Sequence, residues 1–400
     1  MDISSVERWI EGRADEMAAL LVHLVSIPSE NPPGRSLRTS AQALAEAAEG
    51  LGLAAEVMDV PPVADLERPA VVRVTAGEGE QTVYFHGHFD VVPAQSSDQF
   101  NPVRADGRIT GRGTADMKGG LVSMLYAAAA AHELKLLGDG QVVLHFVCDE
   151  ETGSVGGSGY LQAQELIDPA ALAMVTAEPT GGDVWHASRG AITMRVTVAG
   201  REAHVGQAHR GDNAYVRMAR IAEPLGELAQ RLLERRTAFP LDDPDGGGSM
   251  LVVGGAAGAG TSFNVVPGSA WFAVDRRFNP EEDLDEELAL LTETIENAAA
   301  DAGSHVTIEV LQAQPSANTD PTGPVAEALT RSITLAGVAP RMLMCPGVLD
   351  IRWYAQLGIP AFAHGPGRLD VSHGPQEFVD EHAVQRAAVA YALFAGDLLG

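Results

Sequence analysis

Five separated segments of this 400-residue chain carry the side chains that bind metals and move protons near neutral pH. HGHFDVVP holds His88 and Asp90, GRGTADMKGG holds Asp116, and DEETG holds the triplet Asp149, Glu150 and Glu151. Further on, AEPT supplies Glu178 and VSHGPQEFV supplies His373. His88 and Asp90 stand two residues apart at the end of a strand-like run, so they share one face of it. Three adjacent carboxylates raise the cost of ionising one another, and desolvation raises it further. The triplet is therefore either a solvated turn or faces something positive. Each residue alone has an ordinary structural explanation; an Asp before a helix, for example, caps it. Jointly, two His and three carboxylates with no thiolate site available suit a borderline cation such as Zn²⁺. With one carboxylate bridging, five ligands hold two metals roughly 3.5–4 Å apart, as two-metal hydrolases do.

The elements around these residues give them a common place. PAVVRVTAG, QTVYFHGHFDVV, QVVLHFVCDE and LAMVTAEP read as strands. ADMKGGLVSMLYAAAAAHELK reads as a long helix between two of them, and VERWIEGRADEMAALLVHLVSI has helical periodicity up to Pro28. This alternation predicts an α/β domain, a mostly parallel sheet between two helical layers. In such sheets ligands bind outside the C-terminal strand ends, where the five segments fall. From about Ala187 the pattern changes. AITMRVTVAG alternates with period two, GDNAYVRMARIAEPLGELAQRLLERR is an amphipathic helix, and SMLVVGGA and SAWFAVDRRF are strands. NPEEDLDEELALLTETIENAAADAG reads as a helix capped by Asn279, with Pro280 first and acids in its first turn. HVTIEVL completes a β-α-β-β-α-β order, the split ferredoxin-like unit. Helix–strand alternation then resumes in VAEALTRSITLAG, YAQLGIPAFAHG and HAVQRAAVAYALFAGDLL. The expected organisation is a discontinuous α/β domain, residues 1–186 and 313–400, carrying an inserted α+β domain at 187–312.

The composition excludes several classes. Twenty-seven basic residues against 54 acidic ones leave a net charge of −27. Nucleic acid and anionic membranes both demand a basic face, so neither is an expected partner. No run reaches the roughly eighteen apolar residues of a membrane span, and the charged N-terminus has no apolar core of a signal peptide. Cys148 and Cys345, the two cysteines, cannot build a disulfide framework. A cytoplasmic protein is expected.

Taken in order, GHFDVVP, GRGTADMKGG, DEETG, AEPT, REAH, FNVVPG, VDRRF and SHGPQEFV resemble the zinc aminoacylase family. That family includes acetylornithine deacetylases, succinyl-diaminopimelate desuccinylases, aminoacylases and glutamate carboxypeptidases. The likeness runs over essentially the whole chain, and SIPSENPPG is similar to the deacetylase and desuccinylase members. It implies that His88 and Glu178 hold one zinc, that Glu151 and His373 hold the other, and that Asp116 bridges them. It further implies that Asp90 orients His88 and that Glu150 is the general base. On the insert, His204 matches a family His that hydrogen-bonds the developing oxyanion, across the subunit boundary in dimeric members. Asn264 matches a substrate-facing Asn. Arg277 matches an Arg that meets the substrate carboxylate with its bidentate fork. Arg189 and Arg352 sit where the desuccinylase branch places arginines; the alternative for both is an ordinary salt bridge. Two departures are visible: AHVG stands where the family often has AHSG, and CPGVLDIR lacks the hydroxyl residues of a Gly-Thr-Ser-Asp loop. The resemblance thus implies a hydrolase with two Zn²⁺, or Co²⁺ or Mn²⁺ in their place, acting on an N-acyl amino acid. A dipeptidase or exo-carboxypeptidase using the same site is the alternative, and a non-catalytic metal-binding protein a third reading. A homodimer through the inserted lid domain is expected.

Overall fold

The computed structural model describes residues 3–63 and 66–400. Runs rich in β-branched and aromatic residues fold as strands, because such side chains fill a pleated, buried surface. In the first part of the chain these are β1 (Ala54–Asp59), β2 (Ala70–Gly77), β3 (Gln81–His88), β4 (Gly140–Val147) and β5 (Ala173–Thr176). They lie in the order β1-β2-β4-β3-β5, followed by the short strand Ala361–Ala363. The strands β4, β3, β5 and Ala361–Ala363 are parallel, whereas β1 and β2 join antiparallel. The edge strand β1 is half-exposed along its length, which leaves it little hydrophobic pattern to read in the sequence. The β3–β4 register sets His88 opposite Val147. This puts the end of β3 beside the start of the DEETG loop.

Every residue of β3 from Thr82 to His88 is buried, so both faces of the sheet are covered. The helix Gly119–Glu133 is buried from Gly119 to Ala131 and packs on the C-terminal helix Glu381–Leu399. That is why it reads apolar all round instead of showing an amphipathic stripe. The N-terminal helical run breaks at Gly12 into two helices, Ile3–Glu11 and Ala14–Val25. No helix among the described residues is long and apolar enough to cross a membrane.

The chain divides into two compact units: residues up to His186, Asn318–Leu343 and Asp350–Gly400 in the first, Ala187–Ala317 and Met344–Leu349 in the second. The second unit holds β6 (Gly190–Ala199), β7 (Ala203–His204), β8 (Met250–Ala259), β9 (Val265–Val266), β10 (Ser269–Phe278) and β11 (Val306–Gln314). Its sheet has the order β8-β10-β6-β11 with every pair antiparallel. Residues of β10 alternate between buried and half-buried. Ile192, Val196, Phe272 and Val274 pack with Ile221, Leu225, Leu291 and Ile295 of the helices Ala214–Leu232 and Leu284–Asp301. This is the β-α-β-β-α-β order read from the sequence.

Two details of this unit differ from the sequence reading. The second helix begins at Leu284, capped by Asp283, whose carboxylate accepts from the Asp285 and Glu286 N–H groups. Asn279 does not cap it; its side chain donates to the Arg235 and Gly247 carbonyls instead. The unit also extends to Ala317 and takes back Met344–Leu349, where the Met344 N–H donates to the Pro240 carbonyl. A boundary drawn from strand and helix periodicity alone cannot register such a return.

Candidate metal centre

Asp116 sits in the tight turn Thr114–Lys118 that precedes the long buried helix, with φ −126° and ψ 96°, outside helical geometry. It does not cap that helix. Its carboxylate instead receives two imidazoles: His88 Nε2 lies 3.1 Å from Oδ1, and His373 Nε2 lies 3.2 Å from Oδ2. His373 Nε2 is also 3.4 Å from Glu151 Oε1. His88, Asp116 and Glu151 each offer a ligand atom within 4.8 Å of the others. Glu178, 4 % exposed at the end of β5, places Oε1 where no hydrogen-bond donor reaches it among the described residues. A buried carboxylate oxygen without a donor is costly, and a cation is the partner that relieves it. Imidazole and carboxylate donors of this kind fit Zn²⁺, Co²⁺ or Mn²⁺.

The loops are held by contacts that motif reading does not expose. Asp90 is fully buried; its carboxylate accepts from the Glu150 and Glu151 N–H groups at 3.2 and 3.1 Å and from Asn31 Nδ2 at 3.0 Å. Nδ1 of His88 lies 3.0 Å from the Asp90 carbonyl oxygen, so one residue fixes both the His88 ring and the DEETG main chain. Asn31, from the SENPPG stretch, also donates to Thr152 Oγ1. Asp149 accepts the Gly156 N–H at 2.7 Å, which braces the turn, and Gly153 leaves it at φ 111°, a conformation open to glycine. Below the loop, Asp350 accepts from Ser154 and Ser158 at 2.5 and 2.6 Å and meets His86 Nε2 at 3.0 Å.

Burial dominates the electrostatics. Burial and the neighbouring Asp116 push the Glu178 carboxyl up to about 8. Glu150 is pushed well above the usual carboxylate range by burial and then by Glu178. Burial also raises Glu151, against the hydrogen bond to His373. Burial resists ionisation of Asp116 too, yet the hydrogen bonds from His373 and His88 outweigh it and hold its carboxyl far below the normal range. Those to Asp116 and Glu151 lift His373 to about 10. So many acids in a small buried volume are stable only with protons or cations among them.

The remaining sequence candidates fall elsewhere. His204 and Asn264 are neighbours on the second unit, where β7 pairs with β9 and the Val205 N–H donates to the Asn264 carbonyl. Arg277 lies at the other end of β10, bound to Asp275 at 2.8 Å. Arg189 and Arg352 are both buried. Arg189 is fully buried and donates to the carbonyls of Gly248 and Gly246, within the second unit. Arg352 is 1 % exposed and donates to Asp350 at 3.0 Å and to the Gly153 carbonyl.

Comparison with known proteins agrees with this construction. Residues 84–397 match the Peptidase family M20/M25/M40. The N-formyl-4-amino-5-aminomethyl-2-methylpyrimidine deformylase of Halalkalibacterium halodurans is 25% identical over 395 residues, 92% of this chain and 91% of that protein. The acetylornithine deacetylase of Myxococcus xanthus is 28% identical over 386 residues, 94% of this chain and 96% of its own length. The succinyl-diaminopimelate desuccinylase of Nitrosomonas europaea is 28% identical over 81% of this chain and 85% of its own. Among solved structures, a di-peptidase from Saccharomyces cerevisiae gives a TM-score of 0.77 at 18% identity, over 99% of both chains. A likeness at that identity speaks for the fold. Motif order, fold and family match converge: this chain belongs to the Peptidase family M20/M25/M40 and is a metal-dependent hydrolase of linear amides.

Proposed function

We propose that the cluster holds two divalent cations, Zn²⁺ in the simplest case, and that the chain removes the acyl group of an N-acyl amino acid. One observation carries this reading: the two oxygens of Asp116 face two different imidazoles, at 3.1 and 3.2 Å, as a bridging carboxylate would. His88 and Glu178 would hold one cation, Glu151 and His373 the other, with Asp116 shared. Bound there, the pair supplies Lewis-acid polarisation of the amide carbonyl and brings the pKa of water toward about 7.

The chain's own residues do the rest. Glu150, raised by burial and by Glu178, takes the proton of the attacking water and passes it to the departing amine. Asp90 keeps the base and the His88 ring at a fixed spacing, which preserves the geometry of attack. His204 of the second unit is assigned, on the family resemblance, the hydrogen bond to the developing oxyanion. Asn264 faces the substrate, and Arg277 exchanges Asp275 for the free carboxylate of the amino acid. Acyl removal is favoured over peptide cleavage because the deformylase, deacetylase and desuccinylase relatives are named for removing an acyl group. A homodimer through the second unit is supported by exposed Val252 on β8 and Val310 and Leu311 on β11, the two edge strands of its sheet.

The test is a panel of formyl-, acetyl- and succinyl-amino acids and dipeptides, run beside elemental analysis. Turnover of acyl-amino acids with two metals per chain is the expected result. Cleavage of dipeptides alone moves the assignment to a dipeptidase or exo-carboxypeptidase. Two metals without hydrolysis of any member leave a binding protein. Light scattering that finds a fully active monomer removes the dimer.

A further inference from the structure

A buried ion pair joins the two loops that carry Asp116 and His373. Arg112 and Glu377 are each 1 % exposed, and Arg112 Nη1 donates to Glu377 Oε2 at 2.6 Å. The other carboxylate oxygen, Oε1, accepts three main-chain N–H groups, from Gly113, Ala115 and Asp116, at 3.0, 2.9 and 3.1 Å. Arg112 Nη2 reaches the opposite way and donates to the His373 carbonyl at 3.2 Å. The same segments are zipped by backbone pairing, Phe378–Asp380 against Arg108–Thr110, and by the Gly111 N–H on the Glu377 carbonyl.

A buried ion pair is in general a weak source of stability, since desolvation consumes most of the Coulombic gain. Its distinctive effect here is geometric. The carboxylate fixes the main chain of Asp116 itself, and the guanidinium fixes the main chain of His373. A planar fork does this with two separate donors, which a lysine cannot imitate. His373 adds a second sign of constraint: its φ is 61°, a left-handed conformation that a non-glycine residue adopts only when its surroundings impose it.

We propose that Arg112 and Glu377 are positioning residues for the metal centre. Together they set the spacing between the Asp116 carboxylate and the His373 imidazole, and through it the affinity for divalent cations. The proposal rests on the reading of the cluster as a metal site.

The experiment is a Zn²⁺ competition titration of the full-length chain against a chromogenic chelator, with metal counted per chain and folding followed by circular dichroism. Glu377→Gln should weaken binding about 10- to 100-fold, the usual loss when a group supporting a ligand is removed. Arg112→Lys, which keeps the charge but loses the fork, should move affinity in the same direction. Glu287→Gln is the control. It breaks a comparably buried contact with Arg276 in the second unit, at 2.7 Å, and should lower thermal stability while leaving affinity unchanged. Wild-type affinity in both Glu377→Gln and Arg112→Lys overturns the proposal, and so does an equal loss in Glu287→Gln. If Glu377→Gln does not fold, Arg112→Lys decides alone. A wild-type chain that binds no Zn²⁺ removes the metal reading instead, so the two failures are distinguishable.

Discussion

Glu150 and Glu151 are sequence neighbours for which different duties are proposed. Both N–H groups donate to Asp90 and burial raises both carboxyls; Glu151 also reaches His373, whereas Glu178 raises Glu150 further. Glu150→Gln should therefore keep its metal while kcat falls about 10²- to 10⁴-fold, the range for loss of a general base, with KM little changed. Steady-state kinetics on a metal-loaded preparation check this, and near-normal kcat removes Glu150 from the role. A second prediction concerns the metal-free chain. Glu178 is raised from 4.5 to about 8, Asp149 from 3.8 to about 7, and His373 from 6.5 to about 10. Between each pair of values the folded state binds more protons than the unfolded state, so stability falls as pH rises. Melts of the metal-free chain from about pH 6 to about pH 8 should show a falling Tm, with buried Lys118, lowered to about 7, opposing the decline above that value. Saturating Zn²⁺ should flatten the decline, since it binds the ligands deprotonated. A flat metal-free profile would contradict the burial of these charges.

At the scale of elements, close approach matters more than propensity. The helix Gly119–Glu133 begins hard against Ala177, the residue before Glu178. A Cβ on Gly120 would stand 2.4 Å from the Ala177 Cβ and 2.6 Å from its carbonyl oxygen. Gly120→Ala should therefore destabilise the chain by about 1–3 kcal/mol, the cost of overpacking. It should also loosen metal binding through Glu178; an unshifted melt would show that helix and strand separate without cost. What could be read in the sequence follows the same logic. Strands β2 to β5 were legible because they are buried on both faces and so spell continuous apolar runs, while half-exposed β1 spells none. His88, Asp116, Glu151, Glu178 and His373 were legible as candidate ligands only through the ordered motifs that resemble the family. Asn31, Arg112, Asp350 and Glu377 were not, because they act on main chain or side chains far away in sequence and read locally as solvated polar groups. For Arg189 and Arg352 the sequence left a substrate role and an ordinary salt bridge both open; Arg352 pairs with Asp350 and Arg189 with two carbonyls.

The molecule as a whole divides its labour. Every candidate metal ligand belongs to the first unit, and the second builds its own core around Phe272 and Ile221. His204→Gln, a change on the second unit, should thus leave metal content intact and lower kcat about 10²- to 10³-fold, as loss of an oxyanion donor does. Loss of metal in that variant would argue against the division. The ligand positions also dictate a timetable. Translation delivers His88, Asp116, Glu151 and Glu178 first, then the second unit, and His373 and Glu377 only near the end of 400 residues. A growing chain therefore presents four candidate ligands before the histidine that would close the set, and before the carboxylate that holds the Asp116 turn. On the proposed reading, hydrolytic competence would begin only once the segment that carries His373 has folded back onto the earlier loops and a cation has been captured from the surrounding pool.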